Sequence, residues 1–310
     1  MEIVKIDDIY SFSIKEQKLI STLGSFDGIH RGHRNLLNKL ELEKKINKDY
    51  KTAIFTFDIL PKIYFKKIDK VLMCLDEKIL FLEKEFSVDY LFVLNFENIK
   101  DIDAKNFLFL LKKNFNVEIF VIGNNHRLGK YNLQNTDIKE ISRNVGINIR
   151  IENLITDKDN IISSSLIRNL LERDNLKKAN ILLGYNYFIL GVRRKGRGRG
   201  RNIGFPTINI EPICKEKFIL NKGVYFVYIY IKGNKYIGAC NIGRKPTFNE
   251  NNITIEVFVV DKKIEVEENE EVMVEFVEKI REEQKFNNIE ELKQQINRDI
   301  NKIKKIVKEV

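Results

Sequence analysis

Tryptophan is absent from this 310-residue chain, histidine, cysteine and methionine occur three times each, and proline four times. The cysteines (Cys74, Cys214, Cys240) lie far apart with no CxxC pair, which excludes a disulfide scaffold or zinc ribbon and makes a reducing cytoplasm the expected home. No apolar run approaches the roughly 18–20 residues of a membrane span. The opening MEIVKIDDIYSFSIKEQ carries acids early and lacks an apolar stretch before a cleavage site, so a signal peptide is not expected. No cluster of His, Cys and acids has metal-ligand spacing, which disfavours a histidine-built metal centre.

What is present is a globular composition, 43% hydrophobic and 32% charged, in a chain long enough for two domains with real cores. Fifty-four basic against 44 acidic residues leave a formal charge of +10. That balance suits partners carrying phosphate, nucleotide or nucleic acid. Lysines scattered over helix faces give the same excess with no partner at all.

From residue 17 to 183 the compact runs LISTLGSF, TAIFTF, DYLFVLNF, EIFVIG and INIRIE alternate with LLNKLELEKKI, EKILFLEKEF, AKNFLFLLKKNF and IKEISRNV, whose apolar residues recur at three and four. This alternation predicts a Rossmann-like α/β domain over 1–183, with a parallel sheet covered by helices. Loops after its strands then fall where such sheets bind ligands. Beyond Gly184 the pattern becomes strand, turn, strand: YFILGVRR, GFPTINI, GVYFVYIYI, YIGACNIG, ITIEVFVVD and EVMVEFV. Six strands without intervening helices predict an all-β domain over 184–310, a six-stranded antiparallel barrel. The final NIEELKQQINRDINKIKKIVKEV reads as one amphipathic helix, packed on the barrel or used as a dimer seam.

Two histidines fall in GSFDGIHRGH, residues 24–33, where a strand gives way to a helix. Glycines there let backbone approach a ligand, and helix-start N–H groups favour phosphate. His30 and His33, three apart, can share one side of the helical entry and donate to phosphate oxygens as charge builds. Further on, in ISSSLIR, Ser163, Ser164 and Ser165 stand at a helix start with Arg168 one turn in. Alone this is an N-cap; beside HxGH it reads as the second half of a nucleotide site.

At these residues the chain resembles HxGH nucleotidyltransferases, and GxFDGxHxGH with an ISSTxIR-like segment is similar to the bifunctional riboflavin kinase/FAD synthetases of bacteria. The resemblance implies adenylyl transfer from ATP to FMN, giving FAD and pyrophosphate. By that resemblance His30, His33 and Arg168 are catalytic, and Gly24, Phe26, Asp27, Gly28, Ser163, Ser164 and Ser165 bind the nucleotide. Two segments depart from the family: TFDILP (56–61) stands for TFxPHP, and GNNHRLG (123–129) for GxDFxFG. Both flank the family's substrate site.

The second motif is KGRGRGRNIGFPTIN, residues 195–209. Gly–Arg alternation is also found in RNA-binding segments, although those lie in repetitive tails and this one lies between strands. The segment resembles the riboflavin kinase signature GxGxGRxxGFPTAN, with Ile208 in place of alanine. The resemblance implies that Gly196, Gly198, Gly200 and Arg201 cover ATP phosphates and that Thr207 and Asn209 ligate Mg²⁺, whose preference is for oxygen. It also implies that Glu256 is the base for the ribityl 5′-hydroxyl, and that Asn125 and Arg281, the latter in IREEQKF (280–286), contact flavin.

Motifs in the family's order thus cover nearly the whole chain. The expectation is a cytoplasmic enzyme with ATP as co-substrate, Mg²⁺ as cofactor, and riboflavin, FMN and FAD as substrates and products. A monomer or weak homo-oligomer without nucleic-acid or membrane partners is expected. Two alternatives stand beside it: a riboflavin kinase whose first domain has lost or changed activity, and an RNA-binding protein using KGRGRGR.

Overall fold

The computed structural model describes residues 1–310 except 125–127, 129–134, 159, 197, 245–252 and 310, and gives backbone only at 135, 199, 202 and 244. Contacts divide the chain into two compact units, Met1–Ser164 and Ser165–Val310.

The first unit runs β1 (Glu2–Ile6), β2 (Leu19–Leu23), α1 (Arg31–Ile46), β3 (Lys51–Phe57), α2 (Pro61–Tyr64), α3 (Leu75–Glu85), β4 (Tyr90–Leu94), α4 (Phe96–Ile99), α5 (Ala104–Phe115), β5 (Val117–Gly123), α6 (Asn135–Val145), β6 (Asn148–Glu152), β7 (Thr156–Asp157) and β8 (Asn160–Ile161). Six strands form one sheet in the order β1-β4-β3-β2-β5-β6, every pair parallel. The sequence anticipates five of them; β1 is the addition. Parallel strands need cover on both faces, and β2 is buried at all five positions of LISTL. One side of the core is aromatic: Phe55, Phe92 and Phe115 meet with ring centroids 5.0–5.2 Å apart.

Strand order places the ligand crevice. The chain steps from β2 to β3 and β4 on one side, then crosses to β5 on the other. A doubly wound sheet opens between two such strands at their carboxyl ends. The loop leaving that point after β2 is Gly24–His30, and β5 ends beside it at Gly123.

The second unit holds α7 (Ser164–Glu172, its first residue in the first unit), α8 (Leu176–Leu183), β9 (Phe188–Arg194), α9 (Arg199–Asn202), β10 (Thr207–Pro212), β11 (Gly223–Ile231), β12 (Asn234–Arg244), β13 (Ile253–Val259), β14 (Glu271–Arg281) and α10 (Ile289–Glu309). The six strands close into an antiparallel barrel, β10-β13-β12-β11-β14-β9. Its hairpin between β11 and β12 turns on Lys232 and Gly233, both at positive φ (48° and 76°), the twist that suits a two-residue turn. Period-2 alternation sorts the faces. Ile208, Ile210, Ile255, Val257 and Val259 fill the interior, while Thr207, Asn209, Glu256 and Phe258 take the other face and stay partly exposed. The terminal helix packs on the barrel through Ile303, against Val224, Phe226 and Ile280.

Candidate active sites

The first site is the loop from β2 into α1. Its backbone is left-handed at Phe26 (φ 47°), Gly28 (84°) and Ile29 (31°). Such a conformation is uncommon for non-glycine residues and unusual for a β-branched one, so the surroundings must impose it. Three anchors do so. Asp27 Oδ1 accepts from the N–H groups of Leu72 (2.7 Å) and Met73 (3.2 Å). Ser164 Oγ donates to the Asp27 carbonyl at 2.8 Å. Lys78 Nζ donates to the Ser25 carbonyl at 2.8 Å. Phe26 is buried, and its ring meets that of His33 at 5.3 Å.

His30 caps α1, its Nδ1 accepting from the His33 N–H at 3.4 Å, which leaves Nε2 as the protonated, donating nitrogen. The two imidazoles stack with centroids 3.7 Å apart. Burial pushes the His30 pKa down to about 4. Burial first, then the charges of His30 and Lys78, holds His33 well below the ordinary histidine value. The pair is therefore neutral at pH 7. His33 Nδ1 is buried with no hydrogen-bond partner among the described residues, an unsatisfied polar atom of the kind that functional sites hold.

Of the other residues that the sequence suggests for a nucleotide, Gly24 presses against the Phe26 ring, where an added Cβ would meet Cε2 at 3.1 Å. Ser163 and Ser165 flank the start of α7, and Arg168 is buried one turn inside it. Asp27 is a loop clamp, its carboxylate turned to backbone N–H groups. Asn125 and His126 lie outside the described residues.

The second site is on the barrel's outer face. Cross-strand register sets Asn209 of β10 opposite Glu256 of β13, and Glu256 opposite Asn241 of β12. Thr207 Oγ1 reaches Glu256 Oε2 at 3.2 Å. Hydroxyl, carboxamide and carboxylate oxygens thus gather on one patch, a donor set suited to a hard cation. Among the described residues no group of three His, Cys, Asp or Glu could hold a metal. The glycine loop is folded onto this patch: a Cβ on Gly196 would lie 2.7 Å from Asn209 Cγ, and one on Gly200 would strike the Phe205 carbonyl. Gly198 is left-handed, at φ 70°, and Arg201 is exposed. Arg281 is engaged by Asp299 of α10, Nε lying 3.0 and 2.9 Å from its two carboxylate oxygens. It therefore ties the terminal helix to β14.

The structure adds residues that sequence reasoning passed over. Asn241 is visible only once the register is known, and Glu283 Oε1 lies 3.1 Å from a Cβ built on Gly243, beside Asn241. Lys78, in α3, reads in sequence as one more lysine on an amphipathic helix.

Comparison with known proteins follows the same division. A riboflavin kinase family profile matches residues 183–307 and an FAD synthetase profile residues 13–166. A bifunctional riboflavin kinase/FMN adenylyltransferase of Bacillus subtilis is 34% identical over 297 residues, 92% of each chain. The protein of the same name from Escherichia coli K12 is 33% identical, covering 92% of this chain and 91% of its own. A crystal structure from Streptococcus pneumoniae, named a macrolide-efflux protein, aligns with TM-score 0.86 at 27% identity, over 96% of this chain and 97% of that one. Among the described residues no helix is long and apolar enough to cross a membrane.

Proposed function

The chain belongs to the bifunctional riboflavin kinase/FMN adenylyltransferase family, and on that premise we propose that it phosphorylates riboflavin with ATP and then adenylylates the FMN formed. The kinase step is assigned to residues 184–310 and adenylyl transfer to 1–183. The observation that carries the reading is the presence of two separate constellations, the stacked His30/His33 pair in the parallel-sheet unit and the Thr207–Asn209–Glu256 patch on the barrel.

In the kinase step Glu256 takes the proton of the ribityl 5′-hydroxyl as that oxygen attacks the γ-phosphorus of ATP and ADP departs. Thr207, donating to one Glu256 oxygen, fixes the carboxylate and leaves its other oxygen for that proton. Gly196, Gly198, Gly200 and Arg201 cover the phosphates. Thr207 and Asn209 would hold magnesium, which when bound neutralises phosphate charge. In the adenylyl step an FMN phosphate oxygen attacks the α-phosphorus of ATP and pyrophosphate leaves. His30 and His33 act as neutral donors to oxygens gaining charge, with Arg168 and the Ser163–Ser165 turn holding phosphate. Asn125 and Arg281 are the flavin contacts of this reading. It goes with a cytoplasmic location, a monomer or weak homo-oligomer, and no nucleic-acid partner.

The test is product analysis of the full chain given riboflavin and MgATP, then FMN and MgATP. FMN from the first and FAD with pyrophosphate from the second are expected. His33→Ala should lower the second by roughly tenfold to a thousandfold, the scale of one lost charge-stabilising donor, and spare the first. FMN without FAD from the wild-type chain would leave only the kinase half standing.

A further inference from the structure

Lys78 is 1% exposed, yet among the described residues no carboxylate pairs with it directly. Its Nζ donates to two neutral acceptors, the Ser25 carbonyl and Thr56 Oγ1, each at 2.8 Å. Of the three N–H bonds of an ammonium, two are thereby used. Burying a charge this way is costly, and an apolar residue of similar volume usually serves stability as well or better. The two acceptors belong to different segments. Ser25 lies in the Gly24–His30 loop that leads into α1 and His33, next to left-handed Phe26, and Thr56 is near the end of β3. Burial lowers the Lys78 pKa to about 8, which leaves the amine mostly protonated at pH 7, and the Asp27 carboxylate of the loop acts the other way, favouring the charge. On His33 of α1, that charge adds to the larger effect of burial in lowering its proton affinity.

Resting on the adenylyl-transfer reading above, we propose that Lys78 is a positioning residue for that reaction: its ammonium fastens the Gly24–His30 loop to β3 and places positive charge near His33. Asp27 and Ser164 anchor the loop two residues further along, at Asp27, so Lys78 controls the Ser25 end. Its field acts where phosphate charge grows, and preorganised charge of this kind needs no reorganisation during reaction.

The experiment is Lys78→Met in the full chain, which keeps the length of the stem and removes the charge. Three quantities are measured: kcat and KM for FAD formation from FMN and ATP, the rate of FMN formation from riboflavin, and the His33 titration midpoint by NMR. The kcat for FAD should fall by roughly tenfold to a hundredfold, as misplaced reacting groups do. FMN formation should stay within about twofold, the reach of an effect confined to the other site, and the His33 midpoint should rise. A purely structural lysine would lower the melting temperature and leave the kcat of folded protein and the His33 midpoint where they were; that result overturns the proposal. Should Lys78→Met fail to fold, Thr56→Val removes one acceptor only, and unchanged FAD turnover in it overturns the proposal equally. If the wild-type chain makes no FAD, the functional reading fails by itself, and the His33 midpoint still decides whether Lys78 acts on that site.

Discussion

Thr207 Oγ1 donates to Glu256 Oε2 across the β10–β13 pair at 3.2 Å, on the barrel face where Asn209 and Asn241 flank the same carboxylate in register. A glutamate in that position is held in one orientation, with one oxygen engaged. Glu256→Gln keeps its size and the hydrogen bond from Thr207 but removes the proton acceptor. FMN formation at saturating substrates should fall roughly a hundredfold or more, the usual contribution of a positioned base. Supplied FMN should still become FAD at the wild-type rate, and thermal melting should hardly move. Surviving kinase turnover would end the catalytic role of Glu256.

Gly196 matters for what it lets approach. A methyl group there would stand 2.7 Å from Asn209 Cγ, and that side chain must turn away from the patch to relieve the clash. Gly196→Ala should therefore lower kinase turnover and shift its magnesium requirement to higher concentration, with riboflavin affinity less affected. FAD formation from FMN serves as the internal control. A magnesium titration identical to wild type would show that Asn209 does not depend on this glycine.

The stacked histidines give a pH signature in stability. The folded His30 pKa is depressed to about 4, against about 6.5 in an unfolded chain. Between those values the unfolded state binds more protons, so stability is lost as pH falls. For His30 alone the loss is about 2 kcal/mol at pH 5 relative to pH 7.5, and nothing changes above pH 7.5. Urea unfolding of wild type and His30→Gln at pH 5, 6 and 7.5 measures it. The variant should show a shallower decline; parallel declines would mean that His30 titrates normally.

The barrel was legible because its strands obey a period of two, and all six anticipated segments pair. Five of the six strands in the parallel sheet were legible as compact apolar runs. The exception, β1, is an edge strand in which only Ile6 of EIVKI is buried, so it carries no hydrophobic signature. The sites divide in the same way. GSFDGIHRGH and GFPTIN announce themselves through glycines and rare histidines at fixed spacing. Lys78 and Asn241 do not, because one depends on tertiary burial and the other on cross-strand register, and neither is written in local pattern.

The last prediction concerns where the barrel unit begins. The character of the sequence changes at Gly184, yet contacts group Ser165–Leu183 with the barrel. The reason lies in Asn180 of α8. Its Nδ2 donates to the Phe276 carbonyl on β14 at 2.9 Å, and its Oδ1 accepts from the Tyr187 N–H just before β9, also at 2.9 Å. Leu176, Ala179, Leu182 and Leu183 of the same helix are buried. A fragment starting at 184 loses both bonds and exposes the apolar surface those side chains cover, while a fragment of residues 165–310 keeps them. Each lost bond that leaves a buried partner unpaired costs about 1–3 kcal/mol, before the loss of apolar burial is counted. The longer fragment should therefore melt higher and phosphorylate riboflavin at a rate near that of the full chain, making no FAD. The shorter should melt several degrees lower, and Asn180→Ala in the longer fragment should reproduce part of that fall. Equal melting temperatures for the two fragments would mean that α8 contributes nothing to the barrel, and a folded longer fragment that binds flavin and MgATP but forms no FMN would place part of the kinase site in the first unit.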